Sequence, residues 1–165
     1  MASGLLKRCS LTKPAVAPLH CGAIGVREAR RKEELMSALP LLAVFGGAGC
    51  GAVLRWWLGG WLNPLFPYIP MGTVAANLGG GLLIGLASGY FLQHGGVAPE
   101  WRLFVITGFL GGLTTFSTFS AEVFGLIARQ QYAWAAAAAA LHLVGSLALT
   151  AVGFGLARAL LARGG

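Results

Sequence analysis

The sequence predicts an all-α membrane protein of four transmembrane helices, and three observations carry that reading. Only 10% of the 165 residues are charged and 56% are hydrophobic, whereas a soluble domain of this size carries about 25% charged residues. Four apolar segments, residues 38–62, 71–92, 103–127 and 134–161, each approach or exceed the roughly 20 residues that cross a bilayer core as a helix. The connectors between them, residues 63–70, 93–102 and 128–133, are too short to hold an extramembrane catalytic domain, so an enzyme is not expected.

Residues 1–37 stand apart. They hold Lys7, Arg8, Lys13, Arg27, Arg30, Arg31 and Lys32, seven of the twelve Lys and Arg, and no apolar run long enough for a secretory signal. The expectation is a basic N-terminal extension, unstructured or not native, in which Arg27–Glu34 could form a short cytoplasmic helix. Met36, followed by Ser-Ala-Leu-Pro, is an alternative start. Such an extension would bias insertion toward a cytoplasmic N-terminus. The net charge of +7 is thus concentrated before the spans, which have no basic patch interleaved with aromatics, and a nucleic-acid partner is excluded. Cys9, Cys21 and Cys50 are odd in number and share no metal spacing, so free thiols are expected.

The first span carries Gly46, Gly47, Gly49 and Gly51, small residues that permit close helix approach, and then Arg55. An arginine so placed ordinarily snorkels to the headgroups. On the second span Thr73 and Asn77 stand four apart on one face, with Gly81, Gly85 and Gly89 continuing at that step. A buried amide needs partners: Asn77 either bonds a neighbouring helix or offers its two N–H donors to an anion. Trp56, Trp57, Trp61, Tyr68, Trp101, Tyr132 and Trp134 fall near span ends, where amphipathic rings favour the interface.

The third span holds T-G-F-L-G-G-L-T-T-F-S-T-F-S-A-E, from Thr107 to Glu122. Gly111 and Gly112 each cost a helix interior roughly 1 kcal/mol relative to Ala, and the hydroxyls that follow compete for the backbone, so a helix broken at Gly111/Gly112 is expected. A break at membrane depth frees carbonyls on one side and amides on the other, groups that bind cations and anions respectively. Phe116 and Phe119 share a face beyond it, as do Thr115, Thr118 and Glu122. Aromatic edges are electropositive and could line an anion's path, although packing alone would explain an isolated F-x-x-F. The fourth span has six alanines, Ala135 to Ala140, then His142, Gly145, Ser146 and Thr150. Its composition suits close packing, with His142 expected to bond another helix rather than a ligand.

The third-span string, together with P-M-G-T-V-A-A-N at residues 70–77 and G-G-A-G-C-G-A-V-L-R-W-W at residues 46–57, resembles the Fluc/CrcB family of fluoride channels, in the right order and over about residues 38–161. The resemblance implies passive export of cytoplasmic fluoride across the inner (plasma) membrane. It implies an antiparallel, dual-topology homodimer with two fluoride pathways, and a structural Na+ at the dimer centre on the main-chain carbonyls of Gly111 and Thr114. It places Arg55 as a positive field at the aqueous mouth and Asn77 in the pathway. One departure is visible: many members have a tyrosine where this chain has polyalanine.

Four helices make a thin bundle that a dimer would thicken, and the slight Lys/Arg bias of the loops suits both orientations. Fluoride is strongly hydrated, so a path must replace its water with donors, and Asn77, Thr73, Ser117, Thr118 and the ring edges of Phe116 and Phe119 are the candidates. Thr115 and Glu122 have no fixed role; Glu122 is pinned by hydroxyls, protonated or off the path. The alternative is a small dual-topology, proton-coupled multidrug exporter, which would need an ionisable carboxylate in a span, and the spans offer only Glu122.

Overall fold

A computed structural model describes the backbone of residues 19–162 and the side chains of residues 38–162; the expectations for residues 1–18 lie outside the described residues. The chain divides into two units, Met1–Met36 and Ser37–Gly165. In the first, residues 19–36 are helical, a range that includes the helix suggested for residues 27–34.

The second unit is all-helical. Its four helices long and apolar enough to cross a membrane are Ala38–Leu65, Met71–Gln93, Pro99–Ala128 and Tyr132–Leu161, which match the four apolar segments to within a few residues. We number the helices α1 (Leu19–Leu62), α2 (Met71–Gln93), α3 (residues 99–113), α4 (Phe116–Ala128) and α5 (Tyr132–Leu161). Helices α3 and α4 together make the third span. Two stretches are wound wide with π-helical turns, Leu103–Leu110 in α3 and Leu141–Gly145 in α5, a form that recurs at functional sites.

Small residues set the pairing of these helices, because helices in lipid associate through close backbone packing rather than through apolar burial. Gly47 and Gly51 of α1 lie on α3: a Cβ at Gly47 would stand 2.8 Å from Phe109 N, and one at Gly51 would stand 2.7 Å from Leu113 N. Gly81, Gly85 and Gly89 of α2 meet Ser146, Phe154 and Ala157 of α5 in the same way. Gly46 and Gly49, expected to do likewise, face only an ordinary contact and open space.

The break of the third span falls at Thr114 and Thr115, not at Gly111/Gly112. Gly111 has helical torsions (φ −66°, ψ −35°), whereas Thr114 and Thr115 are extended (ψ 152° and 119°). The glycines serve a different need. Gly112 lets α3 approach α1, since a Cβ there would stand 2.9 Å from Ala48 Cα, and Gly108 meets Gly47 similarly. The chain then opens where threonine hydroxyls can replace lost backbone partners.

Buried apolar residues are few and small. One cluster joins Ile69, Val74, Leu126, Ala135 and Ala138, so the polyalanine of α5 packs against residues of α2 and α4; a second joins Ala76, Leu110 and Leu113. Phe45, Trp56, Phe116 and Phe124 are each at least 70% exposed, an outer surface suited to lipid or to another membrane chain.

Candidate functional site

The site is assembled around the extended pair Thr114–Thr115. In an unbroken helix Thr115 N–H would bond Gly111 O; here it donates to Asn77 Oδ1 at 2.7 Å, while Asn77 Nδ2 donates to Thr115 O at 3.0 Å. A single amide on α2 therefore satisfies both main-chain groups of the residue at the break, which a lipid environment would otherwise leave at a cost of several kcal/mol. Asn77 Nδ2 also donates to His142 Nδ1 of α5 at 3.0 Å. The interhelical role weighed for Asn77 and expected for His142 is thus a bond between these two residues.

Thr115 also starts the next helix. Its Oγ1 accepts from Thr118 N at 3.1 Å, an N-cap of the kind that ordinarily stabilises a helix by about 1 kcal/mol, and donates to Thr118 Oγ1 at 3.0 Å. Thr115 Oγ1 lies 3.3 Å from the Ser117 hydroxyl. Thr114 Oγ1 turns back to Leu110 O at 2.9 Å and ends α3. The terminus of α3 thus presents carbonyls, and that of α4 amides, to the same region.

Two concavities flank this knot. One, of about 620 Å3, is lined by Arg55, Asn63, Thr73, Thr118 and Glu122 among others. Within it Thr73 Oγ1 donates to Glu122 Oε1 at 2.6 Å, so of the three expectations for this carboxylate the structure shows a hydroxyl partner. Arg55 does not simply snorkel: it is half-buried, and its Nε donates at 3.2 Å to Gly112 O, a carbonyl whose helical partner the break has removed. The other concavity, of about 320 Å3, is lined by Asn77, Thr114, Thr115, Phe116, Phe119, His142 and Ser146 with neighbouring aliphatics. Phe116 and Phe119 pack edge to face, ring centroids 5.4 Å apart at 68°, and Phe119 lies 4.8 Å from the His142 ring.

The predicted residues are therefore brought together, but not in one row. Thr73, Thr118, Arg55 and Glu122 lie on one side of the break, and Asn77, Phe116 and Phe119 on the other, while Ser117 is exposed beside Thr115. Gly111 and Thr114 sit at the end of α3 and at the break. Two contributors escaped sequence reading. The Gly112 carbonyl has no side chain to announce it. Asn63, whose Oδ1 accepts Gly72 N at 2.8 Å, stands in a Pro-rich connector where Asn reads as a turn residue.

Residues 42–154 match the family model described as CrcB-like protein, Camphor Resistance (CrcB). The chain is 59% identical over 122 residues to a protein of Burkholderia lata named fluoride-specific ion channel FluC, covering 74% of this chain and 95% of that one. Proteins of the same name from Burkholderia ambifaria and Burkholderia cenocepacia are also 59% identical, over 72% and 74% of this chain and 93% and 95% of theirs.

Proposed function

The chain belongs to the CrcB-like family, and on that premise we propose that it is a fluoride-selective channel that lowers intracellular fluoride by passive electrodiffusion through the inner (plasma) membrane. It is a multi-pass membrane protein and not an enzyme. The observation that carries the reading is the broken third span with an edge-on phenylalanine pair beyond it. Such a break presents positive helix-end amides and ring edges to an anion without a tightly gripping charge.

The pathway runs past the break. Arg55 draws the anion toward the larger concavity, where the hydroxyl of Thr118 replaces part of its water, that of Thr73 joining it only as its O–H turns from Glu122, with Ser117 a further donor at the start of α4. The ring edges of Phe116 and Phe119 line the narrower side. Asn77 forms its wall and holds the bend, because its amide hydrogens are already engaged by Thr115 and His142. Selection by donors that replace hydration, none too strong to release the ion, is the general requirement for conduction. Glu122 lines the same concavity but is tied to Thr73 and is not a ligand of the anion, and Thr115 caps α4.

The protein acts as an antiparallel, dual-topology homodimer. A single chain leaves most of its first span exposed and both concavities open at the surface, which supports a second copy, and the small loop-charge bias supports both orientations. Cysteine labelling of loop sites from either side of the membrane would show one orientation only if this is wrong. A structural Na+ fits the carbonyls of Gly111 and Thr114: the amides that would bond them in a helix, Thr115 N and Thr118 N, turn instead to Asn77 Oδ1 and Thr115 Oγ1. Unpartnered carbonyls are hard-cation ligands, and the ion would fix the end of α3 against its surroundings.

The exporter alternative draws no support from the site, since the one carboxylate within the apolar spans is bonded to a hydroxyl. The test is fluoride efflux from liposomes holding the purified chain, read with a fluoride electrode against a chloride control. Rapid fluoride release with retained chloride is expected; equal release of both ions, or none, would refute the reading.

A further inference from the structure

Among the described residues, the one buried side-chain polar atom without a hydrogen-bond partner is Nε2 of His142. His142 is only 5% exposed, sits in the wide turn Leu141–Gly145 of α5, and belongs to the wall of the groove that holds Phe116 and Phe119. Between Trp134 and Ser146 it is the only residue of α5 whose side chain can donate a hydrogen bond, because the others are Ala, Leu, Val and Gly.

Its tautomer follows from its neighbours. Thr115 N–H can only donate, so the atom of the Asn77 amide facing it at 2.7 Å must be the oxygen. The amide nitrogen is then the atom 3.0 Å from His142 Nδ1, and because that nitrogen can only donate, Nδ1 must accept. A neutral imidazole whose lone pair is at Nδ1 carries its proton at Nε2. Nε2 is therefore a buried N–H with nothing to donate to, a condition that costs about 1–3 kcal/mol unless a partner arrives.

We propose that the Nε2–H of His142 is a fluoride-binding donor of the pathway. The proposal deepens the fluoride-channel reading and rests on it. Phe119 lies against the imidazole and both rings line the same groove, so an anion that moves past Phe119 passes the imidazole that carries this N–H. One neutral donor suits conduction better than an ammonium or guanidinium, since it pays part of the dehydration cost without trapping the ion. It also supplies a donor to a helix whose polyalanine stretch has none.

Two substitutions separate this role from simple support of Asn77. In His142→Asn the side-chain oxygen can accept from Asn77 at the Nδ1 position, but nothing replaces Nε2. In His142→Gln an N–H returns near the Nε2 position, but the acceptor for Asn77 is lost. Fluoride efflux from liposomes is expected to fall about 10- to 100-fold in His142→Asn, the range of a lost hydrogen bond to a charged partner, and to stay within about threefold of wild type in His142→Gln. Efflux from His142→Asn equal to or above that of His142→Gln would overturn the proposal. Absence of fluoride efflux from the wild type would instead overturn the channel reading. Should either variant fail to insert, the imidazole nitrogens of 15N-histidine-labelled full-length protein with His20 and His94 replaced decide the matter. Fluoride, but not chloride, must shift the His142 Nε2 resonance; no shift at fluoride concentrations that saturate efflux sinks the assignment.

Discussion

Asn77→Asp is expected to be far more damaging than Asn77→Ala, and the hydrogen bonds around residue 77 say by how much. The native amide makes three: it accepts from Thr115 N and donates to Thr115 O and His142 Nδ1. Alanine removes all three, but the groove beside them is about 320 Å3 and polar enough in part to admit water, so a loss of about tenfold in fluoride efflux is expected. Aspartate keeps the bond from Thr115 N and places its second oxygen against two acceptors. It also adds a negative charge beside the path. At about 5 Å from a passing anion and an effective dielectric constant of about 20, that repulsion is about 3 kcal/mol, or roughly 100-fold in rate. Initial efflux rates from liposomes at matched protein density measure the order directly. Efflux from Asn77→Asp at or above that of Asn77→Ala would remove Asn77 from the anion's path.

Four further outcomes are expected. Phe116→Ile and Phe119→Ile should suppress efflux while leaving size-exclusion behaviour unchanged, because isoleucine keeps apolar volume and loses the polar edge; normal flux in both would return the rings to packing. Gly85→Ala should weaken or prevent assembly, since its Cβ would stand 2.8 Å from Phe154 N, and wild-type thermal stability of the variant would refute this packing. Replacing Na+ with a large organic cation on both sides should slow efflux and lower thermal stability in detergent, and indifference of both would refute the carbonyl site. Glu122→Gln keeps an acceptor for Thr73 and should leave fluoride efflux within about threefold of wild type, as expected of a single exposed-to-partly-buried side chain that retains its bond; loss of efflux would put this carboxylate on the path.

The spans were legible in the sequence because length and apolar composition set them, and their observed ends differ by only a few residues. The position of the break was not. Gly111 and Gly112 have the composition of a helix breaker, yet Gly112 is required by the approach of Ala48, a tertiary contact that propensity does not contain. The real break depends on Asn77, 38 residues away, which supplies the partners that let Thr115 leave the helix. Thr73 and Asn77 share a face, as their spacing predicts, and both bond the third span, at Glu122 and at Thr115, yet they line different concavities. The wide turn around His142 leaves no mark in composition.

The two halves of the site meet at the Asn77 amide, and this constrains what can carry the anion. A carboxamide has two N–H donors, and the broken backbone and the imidazole engage both. The residue that looks most like an anion ligand is thus occupied by holding the helix open. Fluoride must then be met by groups whose hydrogen-bonding capacity the fold leaves over: hydroxyls that rotate, ring edges, the amides at the start of α4 and the buried, unpartnered nitrogen of His142. Each is weak alone. A path assembled from several such donors can replace the water of a small anion stepwise and still release it, which a single strong site cannot do.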